Sequence, residues 1–348
     1  MKMNKTVYCE FSFLKDFLKS RPKHNDAPLE YDPVQSWIKL YLFLCKSSTH
    51  IDISQAKFAQ EATTEESLLK FFKQSSPNLH FCNQGFDNCF IDSSCSTLEK
   101  LNSVYFSSRN KIERTELSKA LGIIVIGKQE TTQFESLFCE RTIAIPKGNH
   151  YKSWNDISFP EYTKVSNSMI IVDNFILKPE NMESMIELLD NILPEKLNCI
   201  FDLTIYTIPN SYQEKTMCET VIQKIKGLRN EKMLNAKIVI CKVNTSEFHD
   251  RTIITNNLWM DCGSGFDLFS NRKASKRTNL RFAFPFMMNA VNHKSWENEA
   301  YIFLIKDILK IEKPGRSHTY NTDYWGDESR ENRLLSFYQR LFSMDDCN

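Results

Sequence analysis

Apolar residues along this chain follow two rhythms, and the second half shows both. Ser168–Leu177 (SMIIVDNFIL), Leu197–Tyr206 (LNCIFDLTIY) and Ala236–Val243 (AKIVICKV) are short apolar runs. Their lack of strict alternation suits strands buried on both faces. Between them, Glu180–Leu193 and Glu214–Arg229 repeat apolar residues three and four apart, the second on a face of Val221, Ile222, Ile225 and Leu228. Strands alternating with helices of this length predict a sheet with crossover helices. A hairpin follows. Arg251–Thr255 is β-branched, Asn256 and Asn257 tolerate the positive φ of a tight turn, and Leu258–Cys262 leads to a second bend at Gly263-Ser264-Gly265. Glu297–Ile311 reads as a core helix broken at Pro314-Gly315, and Glu331–Phe342 as an amphipathic helix.

The first half is less regular. Thr6–Phe11 predicts a strand, and Phe13, Leu14, Phe17 and Leu18 form one face of a helix after it. Val34–Cys45 is an apolar helix. Ile51–Ser54 is a strand whose Ser54 can cap a helix over Gln55–Ala62. Beyond the helix Glu65–Lys73 lies an irregular Asn/Asp/Ser/Cys-rich stretch, then a strand at Val104–Phe106, a helix at Arg114–Ala120 and a buried strand at Leu121–Gly127. Thr142–Ile145 is a last short strand before the loop-like connection Lys147–Lys164. We therefore expect two α/β domains, at 1–150 and 165–345, the second a mixed sheet with crossover helices.

Composition narrows the class without naming it. Of 348 residues 41% are hydrophobic and 25% charged, ordinary for a folded globular chain. No apolar run reaches the ~18 residues that span a bilayer. The amino-terminus has charges within its apolar stretch and no small-residue cleavage site, so no signal peptide is expected. The 11 cysteines are scattered, with no Cys-x-x-Cys, which predicts free thiols used as small hydrophobes in a cytoplasmic protein. A net charge of +1 gives the whole chain no bias toward polyanions, so an anion-binding surface must be local. One such stretch exists: residues 270–281 carry Arg272, Lys273, Lys276, Arg277 and Arg281 and no acid. A solvated basic loop is the simplest account of it.

The candidate chemistry sits just before that loop. His249 and Arg251 are two apart, so a strand aims both at one face. An imidazole can attack phosphorus when a second group holds its other nitrogen, and a cation with a hydroxyl can stabilise the phosphate oxygens. Arg251 supplies the charge and Ser264 the hydroxyl. The spacing resembles the phospholipase D superfamily motif, His-x-Lys, four residues, Asp, six residues, Gly-Ser-x-Asn. In that register His249 takes the nucleophile's place, Arg251 that of Lys, Asn256 that of Asp, and Phe266 that of the final Asn. The closer resemblance is to the phospholipase D (PLD)-like domain at the carboxy-terminus of MIT-domain proteins. There a His-x-Arg strand precedes an Asn-containing turn, a Trp and a Gly-x-Gly-φ-Asp-φ-Phe ending, here Asn257, Trp259 and GSGFDLF. The likeness covers about residues 165–310. It implies membrane binding rather than hydrolysis, and Asn256 supplies no carboxylate to orient an active site.

Asp173 and Asn174, which end the first strand of this half, are further candidates for the same cleft, since ligands gather at strand carboxyl ends. In the first half, Glu10 on the opening strand and Glu61 on the helix after an Ile-Ser strand have a faint likeness to PIN-type nucleases. That likeness implies a divalent cation held through carboxylate oxygens; solvated carboxylates are the plainer account. No other cofactor is implied. The expected function is recognition of a phosphodiester, foremost nucleic acid, by a degenerate PLD-like site, an arrangement that would suit a prokaryotic phage-defence component. The alternatives are an active PLD-like or PIN-like nuclease, the former needing a homodimer because the chain has one copy of the motif, and a module recruited to anionic lipid.

Overall fold

A computed structural model describes residues 6–22, 33–64, 67–91, 102–208, 214–241, 251–263, 265–285, 300–312, 322–327 and 331–343. The chain divides into two compact units, 1–139 with 284–295, and 140–283 with 296–348.

The first unit is built on a parallel sheet. β1 (Thr6–Cys9) leads through α1 (Phe11–Lys19) and α2 (Pro33–Lys46) to β2 (Ser48–Ile51). Next come α3 (Gln55–Thr64), α4 (Ser67–Ser75), β3 (Leu79–Phe81), β4 (Val104–Phe106), α5 (Lys111–Leu121) and β5 (Ile124–Ile126). The strand order is β3-β2-β1-β4-β5, every pairing parallel. On α5, Asn110 accepts from the Glu113 amide at 3.0 Å and Glu113 accepts from the Asn110 amide at 3.2 Å, closing a capping box. At its far end Gly122 takes φ +63°, so the helix includes Leu121 and the strand begins only at Ile124. One face of the sheet carries Tyr8, Tyr105 and Val125 against Phe86, Phe90, Leu121 and Ile123. The unit ends with the short helices α6 (Lys128–Thr131) and α7 (Phe134–Phe138).

The second unit is a mixed eight-stranded sheet. Its strands are β6 (Arg141–Ile145), β7 (Ser168–Val172), β8 (Phe201–Thr207), β9 (Leu234–Cys241), β10 (Thr252–Thr255), β11 (Trp259–Cys262), β14 (Thr278–Ala283) and β15 (Thr322–Gly326), while β12 (Phe269–Ser270) and β13 (Lys273–Ala274) form a separate two-stranded hairpin between β11 and β14. α8 (Pro179–Ile192) and α9 (Glu214–Gly227) are the crossovers linking the parallel trio β7, β8 and β9. α10 (Ala300–Glu312), β15 (Thr322–Gly326) and α11 (Arg333–Ser343) complete the unit. The order is β15-β9-β8-β7-β10-β11-β14-β6, so antiparallel strands flank the trio on both sides.

Two expectations differ from this arrangement. β6 pairs antiparallel with β14, so the division falls at 139/140 and not in the 150–165 connection. Its sequence is too short to reveal which sheet it joins. Cys82 is disulfide-bonded, whereas Cys9, Cys45, Cys139, Cys199, Cys218, Cys241 and Cys262 are free as expected. Scattered spacing does not disclose which sulfurs meet in space. Among the described residues, no helix is long and apolar enough to cross a membrane.

Candidate phosphate-binding site

β10 runs antiparallel to β7, with Thr252 opposite Val172. Continuing that register by one residue sets Arg251 beside Asp173, just beyond the carboxyl end of β7. The Arg251 guanidinium lies over the Phe175 ring, 4.9 Å from its centroid, and Nη1 donates to the Gly263 carbonyl at 3.4 Å. A guanidinium on an aromatic face is held by the ring's negative quadrupole. Its Nε is buried and has no acceptor among the described residues. A buried donor left unpaired is costly, and such a group calls for an explanation.

Asp173 ties the strand end to the glycine bend. It accepts from the Phe175 amide at 2.7 Å and also from the Phe266 amide. Burial raises its pKa, while those two N–H groups and the Arg251 charge pull the other way. A second tie comes from α8: the Ser184 hydroxyl donates to the Phe266 carbonyl at 2.9 Å and accepts from the Trp154 indole at 3.0 Å. Ser275 joins the basic loop to the bend, its amide and its hydroxyl each donating to the Leu268 carbonyl at 2.9 Å. That brings Lys276 Nζ within 2.6 Å of Asp267 Oδ1. Gly265, at φ +97°, lies among these groups. A Cβ on it would stand 2.7 Å from Asp267 Oδ1, 3.5 Å from Arg251 Nε and 3.7 Å from Lys276 Nζ. A side chain there would collide with Asp267, so both this close approach and the positive φ call for glycine.

The other residues singled out from the sequence are dispersed. His249 and Ser264 lie outside the described residues. Asn256 is not brought to Arg251. It is fully buried at the opposite end of β10, accepting from the Asn167 amide at 3.0 Å and donating its own amide to the Ser168 carbonyl at 3.3 Å. The four residues of β10, at ~3.4 Å of extended chain each, separate the two. Arg272 and Lys273 form part of an exposed hairpin whose turn residues, Asn271 and Arg272, take φ +49° and +57°. Arg277 is exposed on the segment that follows. Arg281 belongs to β14, not to a loop. It pairs bidentately with Glu140 at 2.6 and 2.9 Å and lies 4.7 Å from the Trp259 ring centroid. Alternation along β14 was hidden by its polar start.

In the first unit Glu10 stands at the carboxyl end of β1, where the strand order reverses. Its carboxylate accepts from the Ser107 hydroxyl at 2.8 Å, the Ser108 amide at 2.7 Å and the Ser108 hydroxyl, with Arg109 Nε 4.0 Å away. Asp52, at the end of β2, accepts from the Phe11 amide at 2.6 Å, and burial, with the nearby Glu10 charge, raises its pKa. Glu61 pairs instead with Lys15 at 2.9 Å. Among the described residues, no group of three or more His, Cys, Asp or Glu is arranged to hold a metal.

Sequence reasoning gave three residues of the second-unit site no role in it: Phe175, Gly265, which was read only as part of a bend, and Asp267. The last two fall within the GSGFDLF stretch, which could have flagged them; nothing marks Phe175. The strand order, Arg251 just before β10 and the glycine bend beside it all belong to one compact region. That region has a counterpart. Residues 152–282 match the family described as the phospholipase D-like domain at the C-terminus of MIT. The PLD-like domain so defined holds Asp173, Phe175, Arg251, Gly265, Asp267 and Lys276, and begins after β6. It leaves Glu10 and Glu61 outside, so the PIN-type likeness gains nothing from it. No curated protein matches the chain.

Proposed function

We propose that the PLD-like domain recognises a phosphodiester without cleaving it, and that the ligand is nucleic acid. The observation that carries this reading is the Arg251 guanidinium, held over the Phe175 ring with a buried Nε that lacks an acceptor among the described residues. A phosphate oxygen supplies the missing partner, and charge-assisted bonds of this kind are among the strong ones. Arg272, Lys273 and Arg277, exposed nearby in sequence, suit a polymer that offers phosphates at intervals. Asn256, buried at the far end of β10, adds no carboxylate near Arg251, which favours binding over catalysis.

The test is binding and cleavage of single- and double-stranded DNA and RNA, with and without Mg²⁺ or Mn²⁺. Wild type is expected to bind without cutting. Arg251→Ala should weaken binding by roughly tenfold, the scale of one charged hydrogen bond. Neutralising Arg272, Lys273 and Arg277 together should weaken it across all sequences and flatten the salt dependence by about one unit for each phosphate no longer neutralised. Undiminished binding by Arg251→Ala overturns the reading. Metal-independent cleavage abolished by His249→Ala would make the domain an enzyme, and metal-dependent cleavage abolished by Glu10→Ala would move the activity to the first unit. The family match favours a second ligand, an anionic lipid headgroup; co-flotation with anionic vesicles, abolished in Arg251→Ala, distinguishes it.

A further inference from the structure

Lys276 is paired with a carboxylate of its own chain. Its Nζ lies 2.6 Å from Asp267 Oδ1, and both side chains are about one-third exposed. That carboxylate also crowds Gly265: a Cβ there would stand 2.7 Å from Asp267 Oδ1, 3.5 Å from Arg251 Nε and 3.7 Å from Lys276 Nζ, so both cations lie close beside the same carboxylate. Two cations from separate segments thus stand beside one carboxylate, which is paired with Lys276. Arg251 Nε meanwhile has no acceptor among the described residues, so Asp267 serves Lys276 and leaves that N–H unserved.

Resting on the phosphate reading above, we propose that Asp267 is a built-in stand-in for the ligand, holding Lys276 until a phosphate takes that cation over. The phosphate then bridges Lys276 Nζ and Arg251 Nε, engaging both cations where the carboxylate engages one, and Asp267 turns toward solvent. A partly exposed ion pair is weak enough to be exchanged in this way. The consequence is selectivity: an anion that reaches only one of the two cations gains nothing by displacing Asp267, whereas one that spans both does.

A double-mutant cycle tests this, using titrations of a labelled single-stranded DNA oligonucleotide and, in parallel, a water-soluble phosphatidylinositol phosphate. Asp267→Asn should tighten binding by roughly two- to fivefold, the strength of a partly exposed ion pair. The same change made in a Lys276→Ala background should have no effect, because the cation it frees is gone. Failure to tighten, or equal tightening in both backgrounds, overturns the inference, the second outcome marking a general charge effect. If wild type binds neither probe, or Arg251→Ala binds as well as wild type, the phosphate site itself fails and the inference with it. Melting curves identify any variant that has lost its fold; Asp267→Ser, which removes the charge with a smaller side chain, then replaces Asp267→Asn.

Discussion

At Asp173 two tendencies oppose each other: burial disfavours the carboxylate, while Arg251 and two backbone N–H groups favour it. Burial prevails, and the folded pKa lies above its ordinary value. A group that holds its proton more tightly when folded contributes stability that is complete below the unfolded pKa, about 3.9. That contribution is lost as pH rises through the raised folded value. Asp173→Asn abolishes the titration, so the melting temperature of the variant relative to wild type should climb as pH rises from about 4 toward neutrality. A difference that stays flat with pH would show that Asp173 does not titrate in this way. Much of this corner is legible in the sequence. Asp173 is the first polar residue ending an apolar strand, and Arg251 is the cation of a spaced motif. Phe175 is not legible as a partner of Arg251, nor Asp267 as a partner of Lys276. Those pairings depend on how β7, β10 and the basic loop come to one end of the sheet, and no periodicity couples them.

Among the elements, the crossover pattern β7-α8-β8-α9-β9 follows directly from alternating apolar runs and helical repeats. The antiparallel flanks are harder to read. β15 is a polar, aromatic segment (TDYWG) lying against the edge of β9, and β14 begins inside a run that looks like a charged loop. α11 docks through a buried polar clamp. The Asp202 carboxylate is fully buried, 3.1 Å from Arg333 Nε, and accepts the Arg333 amide at 3.2 Å. The neighbouring Asn332 amide group donates to the Met169 and Asp202 carbonyls at 3.0 and 3.3 Å. Removing one member of a buried ion pair leaves the other charge uncompensated, which costs about 3–5 kcal/mol. Asp202→Ala should therefore lower the urea midpoint sharply with little change in slope. A shift under ~1 kcal/mol would mean that water reaches Arg333 and solvates it.

For the molecule as a whole, the family likeness and the physical unit begin at different places. The match starts at residue 152, while the second unit starts at Glu140. The intervening strip supplies β6, the strand outside β14, together with Glu140, the partner of Arg281, and Gly148, which exchanges backbone hydrogen bonds with Ala274 at 3.0 and 2.9 Å. A chain beginning at Lys152 should thus melt lower and aggregate more readily than one beginning at Glu140, measured by thermal denaturation and light scattering. Equal behaviour would show β6 to be dispensable. The strip also bears on how such a domain travels between proteins. Gly148 steadies Ala274, which sits two residues before Lys276, so a recombination event that respected only the recognisable sequence would inherit the ligand-facing groups while leaving behind part of the frame that aims them.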